Sequence, residues 1–172
     1  MIPIRINTAS IEDCNEIVSI ANAVYFETEK EFWKEGYYRI SEKECLQYIS
    51  EKKIIVAKLN SQVVGFVLAG PKSKNVFEFS MLTTHFSHQK KGIGKLLVNR
   101  VIENSKKDGF DYLEIEVLTP KHWTHSQKEF LTKWYTSIGF NFINTFSFES
   151  KYPTHTKFLK CELEFKLYQK RL

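Results

Sequence analysis

The sequence predicts a mixed α/β domain, with about seven strands and about four helices in one continuous unit. Three observations predict it. Apolar runs with period-two alternation recur along the 172 residues, interleaved with segments of helical spacing. Ser10 and Ser41 head capping signals, while Gly109 and Gly139 stand where helical patterns stop. No repeat, low-complexity tract or Gly/Pro/Ser-rich linker divides the chain, so residues 1–172 read as a single domain.

Each element has its own signal. Ile2 to Asn7 alternates as a short strand. Ser10 with Asp13 caps a first helix, on which Ile11, Cys14, Ile17, Val18 and Ala21 share a face. Tyr25 to Ile40 is aromatic and irregular. Ser41 and Glu44 form a capping box before a second helix carrying Cys45, Leu46 and Ile49. Ile54 to Leu59 and Gln62 to Ala69 flank an Asn60-Ser61 turn and read as a hairpin, ended by Gly70-Pro71. Asn75 to Thr84 is a further strand. A helix follows with Leu96, Leu97, Val101 and Ile102 apolar, closed at Asp108-Gly109. In Tyr112 to Leu118, Leu113, Ile115 and Val117 alternate with Glu114 and Glu116. Phe130 to Ile138 is helical, and Phe140–Phe148 and Lys157–Leu167 are the last two strands. The order is βααβββαβαββ.

Composition narrows the function classes. Hydrophobic residues make up 42% and charged residues 26%, with a net charge of +5. That balance suits an anionic ligand but is too mild to demand nucleic acid, and the lysines form no stripe with aromatics. No apolar run approaches the ~18 residues of a membrane span, and the start does not read as a signal peptide. Cys14, Cys45 and Cys161 are far apart and odd in number, so no zinc site or disulfide framework is indicated. The two spaced histidine pairs, His85/His88 and His122/His125, lack a third ligand, so no metal is expected. A reduced, cytoplasmic protein is the expectation.

The stretch HQKKGIGKLL, His88 to Leu97, carries the strongest chemical signal. A strand, a glycine loop and a helix N-terminus in succession make an anion site, because first-turn N–H groups are unpaired and the helix dipole favours negative charge. Lys90, Lys91 and Lys95 add positive charge, and Gly92 and Gly94 let backbone approach a ligand. A phosphate or pyrophosphate is the natural guest. Walker A spelling fails, since Gly94-Lys95 is followed by Leu96 and Gln89 stands where its first glycine belongs. The dinucleotide fingerprint fails as well, for Leu97 occupies the place of its third glycine. A turn that merely caps a helix is the alternative.

Gln89-Lys90-Lys91-Gly92-Ile93-Gly94 resembles the Q/R-x-x-G-x-G/A motif of the GNAT N-acetyltransferase superfamily. Glu78 to His85 resembles the strand before that loop, and Trp134-Tyr135-Thr136-Ser137-Ile138-Gly139-Phe140 resembles the family's helix ending. The likeness spans essentially the whole chain. It implies a GNAT fold: a mostly antiparallel twisted sheet, splayed between the Asn75–Thr84 and Tyr112–Leu118 strands, where acetyl-CoA binds. It further implies pantetheine against backbone at Leu82, Thr83 and Thr84, and diphosphate on the amides of Gln89, Lys90, Lys91, Gly92, Ile93, Gly94 and Lys95.

The implied activity is acetyl transfer to a primary amine by direct attack in a ternary complex. The amine must lose a proton, the developing oxyanion needs a donor, and the leaving thiolate benefits from an acid. By resemblance, the Leu82 N–H is the donor and Tyr135 the acid close to the sulfur. Glu78 and Glu116 are rival bases, with Glu78 favoured; either would need a raised pKa. Tyr25, Phe26, Phe32 and Trp33, crowded with Tyr37 and Tyr38, fall where the family covers its acceptor site. With Glu27, Glu29, Glu31 and Glu35 nearby, they suit a cationic amine. One departure stands out: Lys128 holds about the place of a family asparagine, after a long TPKHWTHSQ segment whose Trp123, His122 and His125 are candidates for shaping the cleft mouth. The acceptor is a small-molecule or peptide amine, and a homodimer is open. A GNAT fold that holds CoA without transfer is the first rival, a basic nucleic-acid-binding domain the second.

Overall fold

The computed structural model describes residues 3–172. Seven strands form one sheet in the order β1-β2-β3-β4-β5-β7-β6. They are β1 (Arg5–Thr8), β2 (Ile54–Leu59), β3 (Gln62–Pro71), β4 (Val76–Thr84), β5 (Tyr112–Pro120), β6 (Asn141–Ser147) and β7 (Leu163–Arg171). Four helices of nine to fifteen residues accompany them: α1 (Cys14–Thr28), α2 (Glu42–Ser50), α3 (Ile93–Lys107) and α4 (Ser126–Ser137). A single turn, α5 (Phe148–Lys151), follows β6. Every neighbouring pair is antiparallel except β4 with β5. The expected order of long elements is the observed one.

Local chemistry accounts for the boundaries. Ser41 Oγ accepts the Glu44 N–H at 3.2 Å, and the Glu44 carboxylate accepts the Ser41 N–H at 2.8 Å, closing the capping box. Asn60 (φ 50°) and Ser61 (φ 70°) both take the left-handed conformation that a tight two-residue hairpin turn requires. Three expectations shift. α1 runs on to Thr28, so Tyr25 and Phe26 are helical: one helix face from Ile17 to Val24 stays buried, and the pattern has no breaker. α4 starts at Ser126, four residues earlier than its apolar spacing indicates, because Lys128 is an inward-facing position. β7 spans 163–171; Pro153 to Phe158 winds as a 3₁₀ turn before it. The expected start of the first strand at Ile2 lies outside the described residues.

The sheet separates two cores. Alternate residues Ile55, Ala57, Phe77, Phe79, Leu113 and Ile115 pack against α3 and α4 through Leu97, Val101 and Tyr135. On the other face Ile54, Val56, Val63 and Phe66 pack against α1 and α2. A third cluster of Phe32, Trp33, Leu118, Phe148, Leu163 and Phe165 ties the α1–α2 connection to the far end of the sheet. On the α1/α2 side, the β4–β5 half of the sheet is left open, and there the strand positions with the parity of Glu78, Glu114 and Glu116 face a cavity.

Candidate active site

The parallel β4–β5 pair is short. Val76 pairs with Tyr112, Phe77 with Leu113, Glu78 with Glu114 and Phe79 with Ile115, and there the pairing ends. Beyond it β4 continues along β3, and β5 continues along β7 as far as Pro120. The two strands therefore part at their C-terminal ends and leave a cleft. A bulge lies on its β4 side. Phe66 pairs with Thr83 and Leu68 with Ser80, so Met81 and Leu82 share the place opposite Val67. Met81 takes a left-handed φ of 50°, unusual for a side chain of its size. Such a bulge takes backbone out of the ladder and re-aims it. Thr83 is buried and its hydroxyl donates to the Met81 carbonyl at 2.9 Å, which steadies the bulge.

At the mouth of the cleft, β4 runs into the glycine loop. Among the described residues, none of the backbone amides from Lys90 to Lys95 has a recorded backbone acceptor, and Leu96 makes the first helical bond, to the Gly92 carbonyl at 3.1 Å. Gly92 sits at φ 78° with no atom within 4 Å of where a Cβ would be, so the cradle is open to a ligand. Lys90, Lys91, Gly92 and Lys95 are exposed, while Ile93 anchors the helix start in the core. Six free amides, a helix dipole and three lysines fit a diphosphate. His85 serves the loop's structure: its Nδ1 accepts the Ser87 N–H at 3.2 Å. Close packing holds the helix against the strands. A Cβ on Gly65 would stand 2.8 Å from the Thr83 carbonyl oxygen and 2.9 Å from Ile93 Cγ2.

Tyr135 stands on α4. It is buried, with its ring edge-on to Phe79 at 5.8 Å and to Phe140 at 5.7 Å. Burial, reinforced by the nearby Tyr25 phenol, pushes its pKa well above the ordinary value, so it stays a neutral donor.

On the opposite face of the sheet is a cavity of about 500 Å³, within the range of small-molecule sites. Glu78 and Glu116 both line it, as does Glu114. Their surroundings differ. Glu114 is buried and accepts from Lys72 at 2.7 Å and from Gln169 at 2.8 Å. Glu116 is bonded to Lys151 and lies 3.7 Å from Lys72. Glu78 is 45% exposed, and its one ion-pair partner, Lys72, is 3.7 Å away. Partial burial works against the Lys72 charge, but the three carboxylates outweigh it and raise its pKa.

The four aromatics expected at the acceptor site do not line this cavity. Phe26 is 71% exposed on α1. Phe32 is fully buried, edge-on to Trp123 and His125. Trp33 stacks on Tyr37 at 3.8 Å and donates its Nε1–H to Glu29 at 2.8 Å. Tyr25 lies beneath the Arg39 guanidinium, 4.4 Å from its ring centre. The aromatics that do line it are Tyr37, Tyr38, Tyr48, Phe148, Tyr152 and Phe165. The acidic residues of that region are absent from the wall too: Glu29 points inward to Lys128 at 2.5 Å, and Glu31 lies 3.5 Å from His125. His122 pairs with Glu162 at 2.5 Å outside the cavity. Sequence reasoning missed Arg39, Lys72 and Glu114; Lys151 lies in SFESKYPTHT, a polar connection that the sequence offers either as another wall of the acceptor site or as a dimer edge. Glu114 was legible from its shared parity with Glu116; the others come from turns and short helices whose approach only the folded chain defines.

Three solved structures align over nearly the whole chain. PaiA N-acetyltransferase from Thermoplasma acidophilum, in complex with coenzyme A, has a TM-score of 0.74 at 19% identity, covering 99% of both chains. Ribosomal-protein-alanine N-acetyltransferase from Brucella melitensis has a TM-score of 0.73 at 19% identity, covering 98% of this chain and 99% of the other. The putative acetyltransferase yncA from Salmonella typhimurium, with its cofactor acetyl-CoA, has a TM-score of 0.71 at 20% identity, covering 98% and 94%. These likenesses speak to the fold. No curated protein matches the sequence. The family model described as Acetyltransferase (GNAT) family matches residues 15–126, from α1 through the bulged strand and the glycine loop to the start of α4, and the chain belongs to that family.

Proposed function

We propose that the protein transfers acetyl from acetyl-CoA to a primary amine by direct attack in a ternary complex. The observation that carries this reading is the run of free amides from Lys90 to Lys95 at the end of a bulged strand, beside a cleft between parting parallel strands. Acetyl-CoA supplies an activated acyl group and a thiol leaving group. Lys90 to Lys95 hold its diphosphate, and the edge of β4 left unpaired by β5 at Leu82, Thr83 and Thr84 pairs with its pantetheine amides.

The chain's own residues then divide the work. Glu78 takes the ammonium proton, directly or through water, because it keeps unshared lone pairs. Glu116 is bound to Lys151 and Glu114 to Lys72 and Gln169. The Leu82 N–H donates to the carbonyl oxygen as negative charge builds there. Tyr135, held neutral by burial, donates to the departing sulfur. One N–C bond forms and one C–S bond breaks; the ammonium loses two protons, one through Glu78 to solvent before attack and one as the amide forms, and the second balances the proton gained by the thiolate. No cysteine lies in β4, β5 or the glycine loop, so no acyl-cysteine step is assigned. Lys128 cannot take the asparagine's part, because its ammonium is engaged by Glu29.

Calorimetric titration with acetyl-CoA tests the reading, with dephosphorylated pantetheine as the control. Binding that needs the diphosphate, followed by CoA release with amines, is the expected result. No binding of acetyl-CoA or longer acyl-CoAs reduces the loop to a helix cap and removes the function.

A further inference from the structure

The cavity beside β4 and β5 is electrically two-ended. On its floor lie three carboxylates, Glu78, Glu114 and Glu116, with the Lys151 ammonium, and Lys72 pairs with the same carboxylates from outside the lining. Across from them stands Arg39, from the α1–α2 connection. Behind Arg39, the single carboxylate of fully buried Glu29 is already bonded to Lys128 at 2.5 Å and to the Trp33 indole at 2.8 Å. One negative charge there serves two cations. Among the described residues Arg39 stands in no ion pair.

The Arg39 guanidinium is nonetheless fixed. It lies over the Tyr25 ring at 4.4 Å, beside the Tyr37 phenol. Burial opposes its charge, but Glu29 and the two phenols outweigh burial and keep it protonated. Of the other ionisable groups on the wall, Lys53 is committed to Glu51 at 2.5 Å and Glu44 to the α2 cap, while His155 stands edge-on to Tyr152 at 5.8 Å with its Nδ1 3.2 Å from the Thr154 hydroxyl. A stacked arginine with spare donors in a half-enclosed cavity is suited to a carboxylate, which it grips bidentately.

We propose that the acceptor is a small amine that also carries a carboxylate, of the amino-acid type, with Arg39 holding the carboxylate and the acidic floor around Glu78 holding the ammonium. This rests on the acyl-transfer reading above. A cavity of about 500 Å³ leaves room for a large side chain beside Tyr38, Tyr48 and Tyr152. In the transfer, the amine nitrogen bonds to the acetyl carbon as the C–S bond breaks. One ammonium proton goes to the base and on to solvent, the second is balanced by the proton that the departing thiolate gains, and the products are an N-acetyl amino acid, CoA as the thiol, and a proton.

Matched acceptors test the inference: L-tyrosine against tyramine, L-phenylalanine against 2-phenylethylamine, L-leucine against 3-methylbutylamine. CoA release is followed for the parent protein, Arg39→Gln and Arg39→Lys. The parent is expected to favour the carboxylate-bearing member in kcat/KM by about 10- to 100-fold, mostly through KM, the worth of one charge-assisted contact. Arg39→Gln is expected to bring that ratio towards one, and Arg39→Lys to keep part of it. A parent ratio at or below one in every pair overturns the inference, whether or not the variants fold. So does a parent-like ratio in a folded Arg39→Gln. Acetyl-CoA binding with no turnover of any member also overturns it, while leaving the CoA site standing. Loss of acetyl-CoA binding itself removes both readings.

Discussion

Lys128→Met isolates the most deeply buried ion pair among the described residues. Lys128 Nζ lies 2.5 Å from Glu29 Oε1, and the two side chains are 9% and 0% exposed. Removing one partner of such a pair leaves an uncompensated buried charge, at a cost of about 3–5 kcal/mol. Here Glu29 keeps its hydrogen bond from Trp33 and the field of Arg39, so about 3 kcal/mol is the expected loss. At about 2.1 cal/mol/K per residue, unfolding 172 residues changes entropy by about 0.36 kcal/mol/K, and the melting temperature falls by about 8 °C. The assay is urea and thermal denaturation of Lys128→Met, Glu29→Gln and the double variant. Pairing requires the double variant to be less damaged than the two single losses added together. The pH dependence supplies an independent sign. In the parent, burial pushes the Glu29 pKa up, but Lys128, Arg39 and Trp33 push it further down. A depressed carboxylate contributes stability above its unfolded pKa and loses it as pH falls through the folded value. In Lys128→Met the principal compensating charge is gone, so protonation of Glu29 relieves the defect and the gap to the parent narrows as pH falls. A loss below about 0.5 kcal/mol, or strictly additive single variants, refutes the reasoning.

Three further outcomes follow from the same geometry. Glu78→Gln is expected to lower kcat by about 100-fold or more with acetyl-CoA affinity kept, whereas Glu116→Gln chiefly loosens the contact with Lys151; equal kinetic damage from both would sink the choice between them. Tyr135→Phe should lower kcat by a similar factor, and because burial raises the Tyr135 pKa above its ordinary value of 10.0, no alkaline limb of the parent's rate profile below that pH should vanish in the variant. Gly65→Ala places a methyl 2.8 Å from a backbone oxygen of β4 and 2.9 Å from Ile93. It should cost about 1–3 kcal/mol and weaken acetyl-CoA binding in the same variant, read by melting temperature and calorimetry.

The order of long elements was legible because it rests on local rules. Period-two runs, the Ser41–Glu44 box and the Asn60-Ser61 turn each need only a few neighbouring residues. The glycine loop was legible for the same reason. What escaped was set at long range. Lys128 reads as standing at a family asparagine's place, ahead of the helical spacing that begins at Phe130, until Glu29, 99 positions away, meets it. Phe32 and Trp33 look like a wall for a ligand, yet they fill a core built by Phe148, Leu163 and Phe165 from the far end of the chain. The bulge at Met81 has no spelling of its own; it exists because β3 and β4 are held in register on both sides of it.

That bulge, the glycine loop and the Glu29–Lys128 pair act on one place from three directions. β4 is fixed to β3 by the ladder on either side of Met81, and by Gly65, whose missing side chain lets the Thr83 carbonyl and Ile93 approach. α3 is thereby seated with its first turn at the end of the same strand. α4, which carries Tyr135, is held at its other end by Lys128 to Glu29, the residue that follows α1. α1 in turn carries Tyr25, whose ring supports Arg39 and whose phenol adds to the burial that keeps Tyr135 neutral. A buried ion pair is weak evidence for stability, since a well-packed apolar pair often does as well. Its place here argues for another use. It sets the distance between the helix bearing the proposed acid and the connection bearing the proposed acceptor anchor. An apolar pair at 29 and 128 would free the two elements from that fixed spacing and so shift Arg39, which as an arginine keeps its charge. Glu29→Leu/Lys128→Met is therefore expected to recover much of the stability lost in Lys128→Met, and still to lose the preference for carboxylate-bearing acceptors.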